Sequence, residues 1–399
     1  MKRLCLHNGT VLSGYAAMEN HSVLAEEGKI TGIFPAQRFE QKHFGKEAEV
    51  IDAEGAFITP GFIDTHIHGY GGFGTDDALY PEVKPEKETV DSMIELSRLL
   101  AAKGVTAFNP TVYPAPQDSM IDMAAKMVSA MGREDGAKIM GLHLEGPFLS
   151  PLKPGVMRPG TISPVDINLM ERLWNAARGH IVNMTVAPEI ENMEELARFC
   201  AKKGIILQAG HTNASYENII EGMQMGIFHS THVFNAMSKL DQRYPNAVGA
   251  ILTHSEMSCE IIADGFHVHP AMIKLLAQNK PAEKIVLITD SLKCTGQETG
   301  PFFANGEEMI FAGGVFRRKK DDVIAGSGIT MLKGIQNLVQ FGFSLENAVK
   351  TASSNPARVM RYAGKGILAE GMDADIAVFN KDFTLQAVIR GGKLQYRNI

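Results

Sequence analysis

The chain reads as an α/β protein, a (β/α)8 barrel of the TIM type with a small β-sandwich domain formed by both chain termini. Short apolar runs recur through the middle at 57–63, 105–111, 139–145, 181–188, 205–211, 228–235, 259–264 and 285–290. Helical patterns separate most of them, and strand–helix alternation implies parallel βαβ units. Eight such strands are the number that closes a barrel. The two ends share a β-rich texture that the middle lacks.

The first segment contributes Val11-Leu12-Ser13-Gly14, Ser22-Val23-Leu24-Ala25 and Lys29-Ile30-Thr31-Gly32-Ile33, β-rich runs bounded by turn residues. The last contributes Ala374-Asp375-Ile376-Ala377-Val378-Phe379 and Gln386-Ala387-Val388-Ile389, a strand–turn–strand pattern. We expect residues 1–56 and 360–399 to form the small domain and 57–359 the barrel. Within 89–103, Val90, Met93, Ile94, Leu96, Leu99 and Leu100 make an apolar stripe that stops at Gly104. Further helices are expected at Met193–Lys203, ending at Gly204, and at 271–278. A doubly wound open sheet is the competing architecture, marked by a Gly-rich phosphate turn after its first strand. Gly69, Gly71, Gly72 and Gly74 do follow the first run, but no helix pattern opens from them. They read as a tight loop.

With 399 residues, 45% apolar and 21% charged, the composition is that of an ordinary globular protein. A formal charge of −6 offers no electrostatic case for nucleic acid or an anionic membrane. The basic run Arg317-Arg318-Lys319-Lys320 is followed by Asp321 and Asp322 and reads as a solvated turn. Cys5, Cys200, Cys259 and Cys294 are scattered, which suggests reduced thiols. No stretch approaches the roughly 20 apolar residues that span a bilayer, and the start lacks an apolar signal core. A cytoplasmic location is expected.

Chemistry concentrates at the strand ends. Pro60-Gly61-Phe62-Ile63-Asp64-Thr65-His66-Ile67-His68-Gly69 closes on a His-x-His pair. Alternate residues of a strand share a face, so both imidazoles can grip one divalent ion. Glu145, His211, His232 and Asp290 end other runs. Active sites of such barrels lie at the C-terminal ends of the strands, so these six residues converge. Four imidazoles and two carboxylates can hold two ions if Glu145 bridges them. Bound divalent metal lowers the pKa of water to roughly 7, and Asp290 is the candidate acid–base group. His143, two before Glu145, faces the same way and either supports a ligand or fills a barrel layer. His267 and His269 form a second His-x-His, one of which faces substrate. His7, His21, His43, His180, His229 and His254 carry no pattern, and Cys294 lacks a histidine partner for nucleophilic work.

These residues, in this order, resemble the metal-dependent amidohydrolase superfamily and, within it, the N-acetylglucosamine-6-phosphate deacetylases. The resemblance spans nearly the whole chain. It rests on the segment at 60–69, on His143-Leu144-Glu145-Gly146-Pro147-Phe148, and on Gly210-His211-Thr212. It rests also on Thr231-His232-Val233-Phe234-Asn235-Ala236-Met237, Ala263-Asp264-Gly265-Phe266-His267, Thr289-Asp290-Ser291 and Ala325-Gly326-Ser327. It implies that Glu145, His211 and His232 hold the ion common to the family, that His66 and His68 make a second site available, and that Asp290 is the catalytic aspartate. The ion is expected to be zinc, with iron(II) or another transition metal as alternatives. Substrate-contacting segments are implied at Val156 and Met157, Asn235 and Ala236, Asp264, Gly265, Phe266 and His267, and Ile324, Ala325 and Gly326. Arg243 matches an arginine that reaches the substrate phosphate from a neighbouring subunit, which implies a homodimer; a guanidinium fork suits a phosphate dianion.

Two departures stand out. The histidine that many relatives carry after the Glu-Gly-Pro motif is Met157 here, and two histidines usually beside the arginine are Asp241 and Gln242. The expected activity is hydrolysis of the acetamide of an amino-sugar phosphate, N-acetylglucosamine 6-phosphate first. Another N-acyl amino sugar, such as N-acetylgalactosamine 6-phosphate, or a different amide stays open. An amidohydrolase acting on a cyclic imide, a dipeptide or an aminated base would share the metal core and differ in its substrate loops. A non-catalytic barrel would be expected to have lost ligands, and all are present.

Overall fold

The computed structural model describes residues 3–39, 48–75, 79 and 88–398. His43 lies outside them, as do Met1 and Lys2. The barrel is built from eight strands, Phe62–Ile67, Val105–Val112, Leu142–Glu145, Ile181–Val186, Ile206–Ala209, His229–Ser230, Ser258–Ile262 and Ile285–Ile288, each paired in parallel with the next. Backbone bonds bring the ends together. Asp290 N donates to His66 O and His68 N to Ser291 O, both at 2.9 Å.

Outward-facing residues of these strands, such as Phe108, Leu144, Met184 and Leu207, pack beneath the helices in one large core. That packing is why the runs read as apolar. The inward residues are polar and bond to one another, where Val, Ile and Leu layers usually fill such a barrel. Asn109 Nδ2 donates to Asn183 Oδ1 at 3.1 Å, and Asn183 Nδ2 to Gln208 Oε1 at 2.6 Å. Thr185 and Thr231 hydroxyls lie 2.8 Å apart. Satisfied networks of this kind rigidify a buried layer.

The helices lie close to expectation. Thr89–Ala101 precedes Gly104, Met193–Lys203 ends on Gly204 in the left-handed conformation that glycine adopts without steric cost, and Pro270–Asn279 follows the seventh strand. No helix among the described residues is long and apolar enough to cross a membrane.

Both termini build one eight-stranded sheet in which Arg3–Leu12 pairs with Ala17–Glu26, Ala48–Asp52 and Phe57–Pro60, and Phe57–Pro60 pairs with Ile376–Phe379. It has its own core, including Leu6, Ile30, Ile58, Val378 and Ile389. The run at 57–63 is therefore shared. Phe57–Pro60 belongs to this sheet, and after Gly61 the chain enters the barrel. A Cβ at Gly61 would sit 2.2 Å from Thr106 atoms, so only glycine fits this crossing. The sixth run contributes only His229–Ser230 as strand, because 231–238 bends away to form the site.

A four-stranded antiparallel sheet, Phe302–Ala304, Glu307–Ala312, Val315–Arg318 and Ile324–Ser327, follows the eighth strand. The sequence reading did not anticipate it. Its signals were the turn pairs Asn305-Gly306 and Gly313-Gly314, all at positive φ as two-residue hairpins require. The basic run lies on and just after its third strand. Arg317, Lys319 and Lys320 pair with Asp322, Glu308 and Glu307 near solvent. Arg318 is instead buried, pairing with Asp321 and donating to Val156 O.

Candidate active site

Six predicted residues meet at the C-terminal mouth of the barrel. Glu145 is the hub. Its Oε1 lies 3.1 Å from His232 Nε2, 3.2 Å from His211 Nε2 and 3.4 Å from His66 Nε2, and its Oε2 lies 3.2 Å from His68 Nε2. The two oxygens thus face different imidazoles. Two compact donor groups share this residue, His66–His68–Glu145 and Glu145–His211–His232. Asp290 Oδ1 lies 3.4 Å from His68 Nε2 and 3.6 Å from His66 Nε2, outside both groups.

The donor set fits a divalent cation. His66 Nε2 is buried without a hydrogen-bond partner, and the Nε2 atoms of His211 and His232 face each other at 3.2 Å. Neutral rings carry one N–H each, so lone pairs converging in this way suit a shared Lewis acid. The carboxylates respond to the same arrangement. Burial pushes the Glu145 carboxyl up, but the charge on His66 and hydrogen bonds from His211 and His232 outweigh it and hold the group well below its usual range. Burial lowers His66 and His68, yet Asp290 and Glu145 raise both rings on balance. The negative field that draws protons there equally draws metal, which competes with them.

Local backbone geometry aims these side chains. His211, His232, Ala236 and Asp290 have φ of +47°, +23°, +48° and +47°. Non-glycine residues in this region cost of order 1–3 kcal/mol each and persist where surrounding structure holds them. Here Ser150 N donates to His211 O, Thr212 N to Ala236 O and Ser327 N to Asp290 O. The glycines after His68 form the expected tight loop, a hairpin of Gly69–Tyr70 on Phe73–Gly74. Gly69 must lack a side chain, since a Cβ would lie 2.3 Å from Phe73 O and 2.7 Å from Lys293 Cα.

A cavity of about 300 Å³ opens above the cluster, lined by His68, Tyr113, Glu145, His211, His232 and Asp290 at its floor. Of the predicted substrate-contacting residues, Val156, Met157, Asn235, Ala236, His267, Ile324, Ala325 and Gly326 line it. Asp264, Gly265, Phe266 and Arg243 do not. Asp264 instead holds His267, accepting from Nδ1 at 2.6 Å and from the backbone N–H of Phe266 and His267 at 2.8 Å each. His267 Nε2 donates to Ala325 O, so the ring ties the seventh-strand loop to the antiparallel sheet. Phe266 is about half exposed and Arg243 lies on the surface. The Asp241 carboxylate accepts from the backbone N–H of Arg243 and Tyr244, shaping their turn.

The remaining histidines fall into place. His143 Nδ1 and Nε2 meet the hydroxyls of Thr111 and Thr185 at 3.1 and 2.9 Å, and burial holds its pKa well below the ordinary value. It fills a barrel layer as a neutral ring. His269 caps a helix, accepting from Ala271 N. The four cysteines are buried and none is in a disulfide, and burial pushes Cys5, Cys200 and Cys259 up to about 12.

Sequence reasoning missed three contributors. Tyr113 stacks on His68 at 3.7 Å between ring centroids. The Lys153 carbonyl meets His211 Nδ1 at 3.0 Å. Glu260, in the seventh strand, lies 3.2 Å from His66 Nδ1. Only its charge inside an apolar run could have drawn notice.

Comparison with known proteins agrees with this geometry. The model of the amidohydrolase family matches residues 57–394. An N-acetylglucosamine-6-phosphate deacetylase of Lysinibacillus sphaericus is 29% identical over 397 residues, 98% of this chain and 97% of that protein. An N-acetylgalactosamine-6-phosphate deacetylase of Escherichia coli O157:H7 is 28% identical, covering 94% of this chain and 95% of that protein. The structure of a mutant N-acetyl-D-glucosamine-6-phosphate deacetylase from Mycobacterium smegmatis, in complex with N-acetyl-D-glucosamine-6-phosphate, superposes with a TM-score of 0.88. It is 27% identical, with 99% of this chain and 100% of that one covered. Barrel, donor cluster and family match agree, and the chain belongs to the amidohydrolase family.

Proposed function

We propose that the protein is a metal-dependent deacetylase that hydrolyses the N-acetyl group of an amino-sugar phosphate, N-acetylglucosamine 6-phosphate first, to acetate and the free amino sugar phosphate. One observation carries the reading. Four imidazole Nε2 atoms surround Glu145 in a cavity whose other carboxylate, Asp290, is the more exposed of the two, at 13% against 3%. Close relatives named for this reaction, and one such structure holding this substrate, support the choice of substrate.

His66 and His68 would hold one divalent ion and His211 and His232 another, with Glu145 bridging; zinc suits this nitrogen-rich set. When bound, such an ion would supply Lewis acidity toward the amide carbonyl and toward water at neutral pH. Asp290 is placed to take a proton from the attacking water and to return it to the nitrogen as the C–N bond breaks. One water supplies the acetate oxygen, and its two protons join the original amide N–H on nitrogen, so the products are acetate and the ammonium form of the amino sugar phosphate. His267, held between Asp264 and Ala325 O, fixes the loop that lines the cavity, and Met157 with Val156 forms an apolar wall beside the sugar. No lysine or arginine lines the cavity among the described residues. The phosphate partner is assigned, as the resemblance implies, to Arg243 of a second subunit in a homodimer, and a cytoplasmic location belongs to the same reading. The barrel that begins at Phe62 carries the chemistry, and the sheet built from both termini, Phe57–Pro60 included, supports it.

The test is acetate release from N-acetylglucosamine 6-phosphate, its galacto epimer and both unphosphorylated sugars, before and after chelation and with zinc restored. The reading expects activity that chelation removes and zinc restores, with phosphorylated sugars preferred. Full activity after complete metal removal, or no acetate from any of the four, would overturn it. Preference for the neutral sugars would remove the role given to Arg243.

A further inference from the structure

The barrel interior holds one carboxylate that neither the proposed ligand set nor the proton transfer uses. Glu260 is fully buried on the seventh strand. Its Oε2 lies 3.2 Å from His66 Nδ1 and 3.4 Å from the His232 amide. Its Oε1 accepts from Gln208 Nε2 at 3.2 Å and from Thr65 Oγ1 at 3.4 Å, with His229 Nε2 at 3.7 Å. A charge this deep is costly unless its partners are fixed. They are fixed by a chain of donors through the barrel interior. Tyr362 OH donates to Asn109, Asn109 to Asn183, Asn183 to Gln208, and Gln208 to Glu260. Each amide orients the next, so Gln208 presents its amino group to Glu260 and to the Thr231 hydroxyl.

We propose that Glu260 is the positioning residue for the cation held by His66 and His68, fixing which nitrogen of His66 is free to bind it. The inference rests on the metal-dependent reading above. A neutral imidazole carries one proton, and a carboxylate at Nδ1 keeps it there, leaving the Nε2 lone pair aimed at Glu145 and Asp290. The other rings lack this support. His211 Nδ1 meets only a backbone carbonyl, and Nδ1 of His68 and of His232 has no hydrogen-bond partner. Glu260 thus acts on one of the two donor groups. By holding the Nδ1 proton of His66, it lets the His66–His68–Glu145 group be loaded.

The acceptor must be a carboxylate. A glutamine at 260 has to turn its amino group toward Gln208, which already presents one, or toward His66 Nδ1. The second choice makes Nδ1 an acceptor, moves the ring proton to Nε2 and blocks the metal lone pair.

The experiment is zinc titration of metal-free full-length protein by chelator competition, for wild type, Glu260→Gln, His66→Asn and the double variant. Melting temperature is read in parallel. The proposal expects two ions in wild type, one of them weakened about 10- to 100-fold in Glu260→Gln and the other unchanged. On the His66→Asn background, Glu260→Gln should add nothing, because its effect passes through that ring. Equal affinities in wild type and Glu260→Gln overturn the proposal. So does a Glu260→Gln effect that persists without His66, which marks a merely structural carboxylate. Glu260→Asp, which keeps the charge but withdraws it from Nδ1, carries the same expectation and serves where Glu260→Gln does not fold. A wild type that takes one ion, with affinity unmoved by His66→Asn, overturns this inference and leaves the hydrolase reading standing. A wild type that takes none overturns both.

Discussion

Replacing Asp290 by Asn separates proton transfer from metal binding. The cavity is lined by two carboxylates, Glu145 and Asp290. Glu145 is enclosed by four imidazole nitrogens between 3.1 and 3.4 Å, which leaves it no role in shuttling protons to substrate. Asp290 makes longer approaches of 3.4 and 3.6 Å and belongs to neither compact donor group. Its backbone is pinned independently of its side chain, by Asp290 N to His66 O and Ser327 N to Asp290 O, both 2.9 Å. The isosteric amide should therefore fold and bind metal nearly as wild type does. A positioned general acid–base group contributes about 10²–10⁴ in rate. At 1.36 kcal/mol per tenfold, its loss raises the barrier by roughly 2.7–5.4 kcal/mol. The assay is acetate release at saturating substrate, with metal content and melting temperature measured on the same preparation. If the metal-replete variant keeps a kcat within about tenfold of wild type, the assignment of Asp290 to proton transfer is wrong.

Three further outcomes are expected. A methyl at Gly326 would sit 2.2 Å from Asp290 O and 2.7 Å from Leu292 Cδ2, so Gly326→Ala should displace Asp290, lower kcat and cost about 1–3 kcal/mol of stability; unchanged kcat and melting would refute this close approach. Lys365 Nζ reaches Asp373 at 2.9 Å and Asp375 at 2.5 Å under the terminal sheet, with little exposure of Lys365 and Asp375. Lys365→Met leaves the Asp375 charge buried and should cost about 3–5 kcal/mol in denaturant unfolding, and a loss below about 1 kcal/mol would count against the pair. The third concerns the Asp264–His267 pair. Burial raises Asp264 and lowers His267, but their hydrogen bond outweighs it, holding the carboxyl below and the imidazole above their ordinary values. A depressed carboxyl stabilises above its unfolded value, and a raised imidazole stabilises below its own. The pair is at full strength between about pH 4 and 6.5, weakens as acid protonates Asp264, and weakens again as pH rises through the folded value of His267. The stability gap between wild type and Asp264→Asn, about 1.5–3 kcal/mol at its largest, should follow that window; a gap independent of pH would contradict it.

Much of the site was legible because ligand chemistry restricts residue type. A His-x-His closing a strand, and Glu145, His211, His232 and Asp290 closing others, are rare coincidences unless the strand ends meet. The helix at Met193–Lys203 was legible for another reason: its apolar period and its terminal Gly204 are both local signals. Glu260 was not, since its partner His66 is 194 positions away and nothing in the surrounding apolar run points to it. The antiparallel sheet that supplies Ile324, Ala325 and Gly326 was overlooked despite two hairpin dipeptides, because its strands are short and interrupt the barrel's alternation. His269 looked equivalent to His267 until the helix start at Pro270 took it as a cap.

The sequence alone determined the barrel, the sheet at the termini and the identity of the six converging side chains. These follow from periodicity and residue type, which short stretches of chain carry by themselves. Only the tertiary structure decided that Phe57–Pro60 leaves the barrel, that Met157 becomes a buried wall, and that Glu145 turns one oxygen toward His66, His211 and His232 and the other toward His68. It also decided that polar residues fill the barrel interior and commit a carboxylate to His66. The reason is physical. Inward-facing residues on a closed sheet choose partners from distant strands, and closure sets that choice through distances that no local pattern encodes.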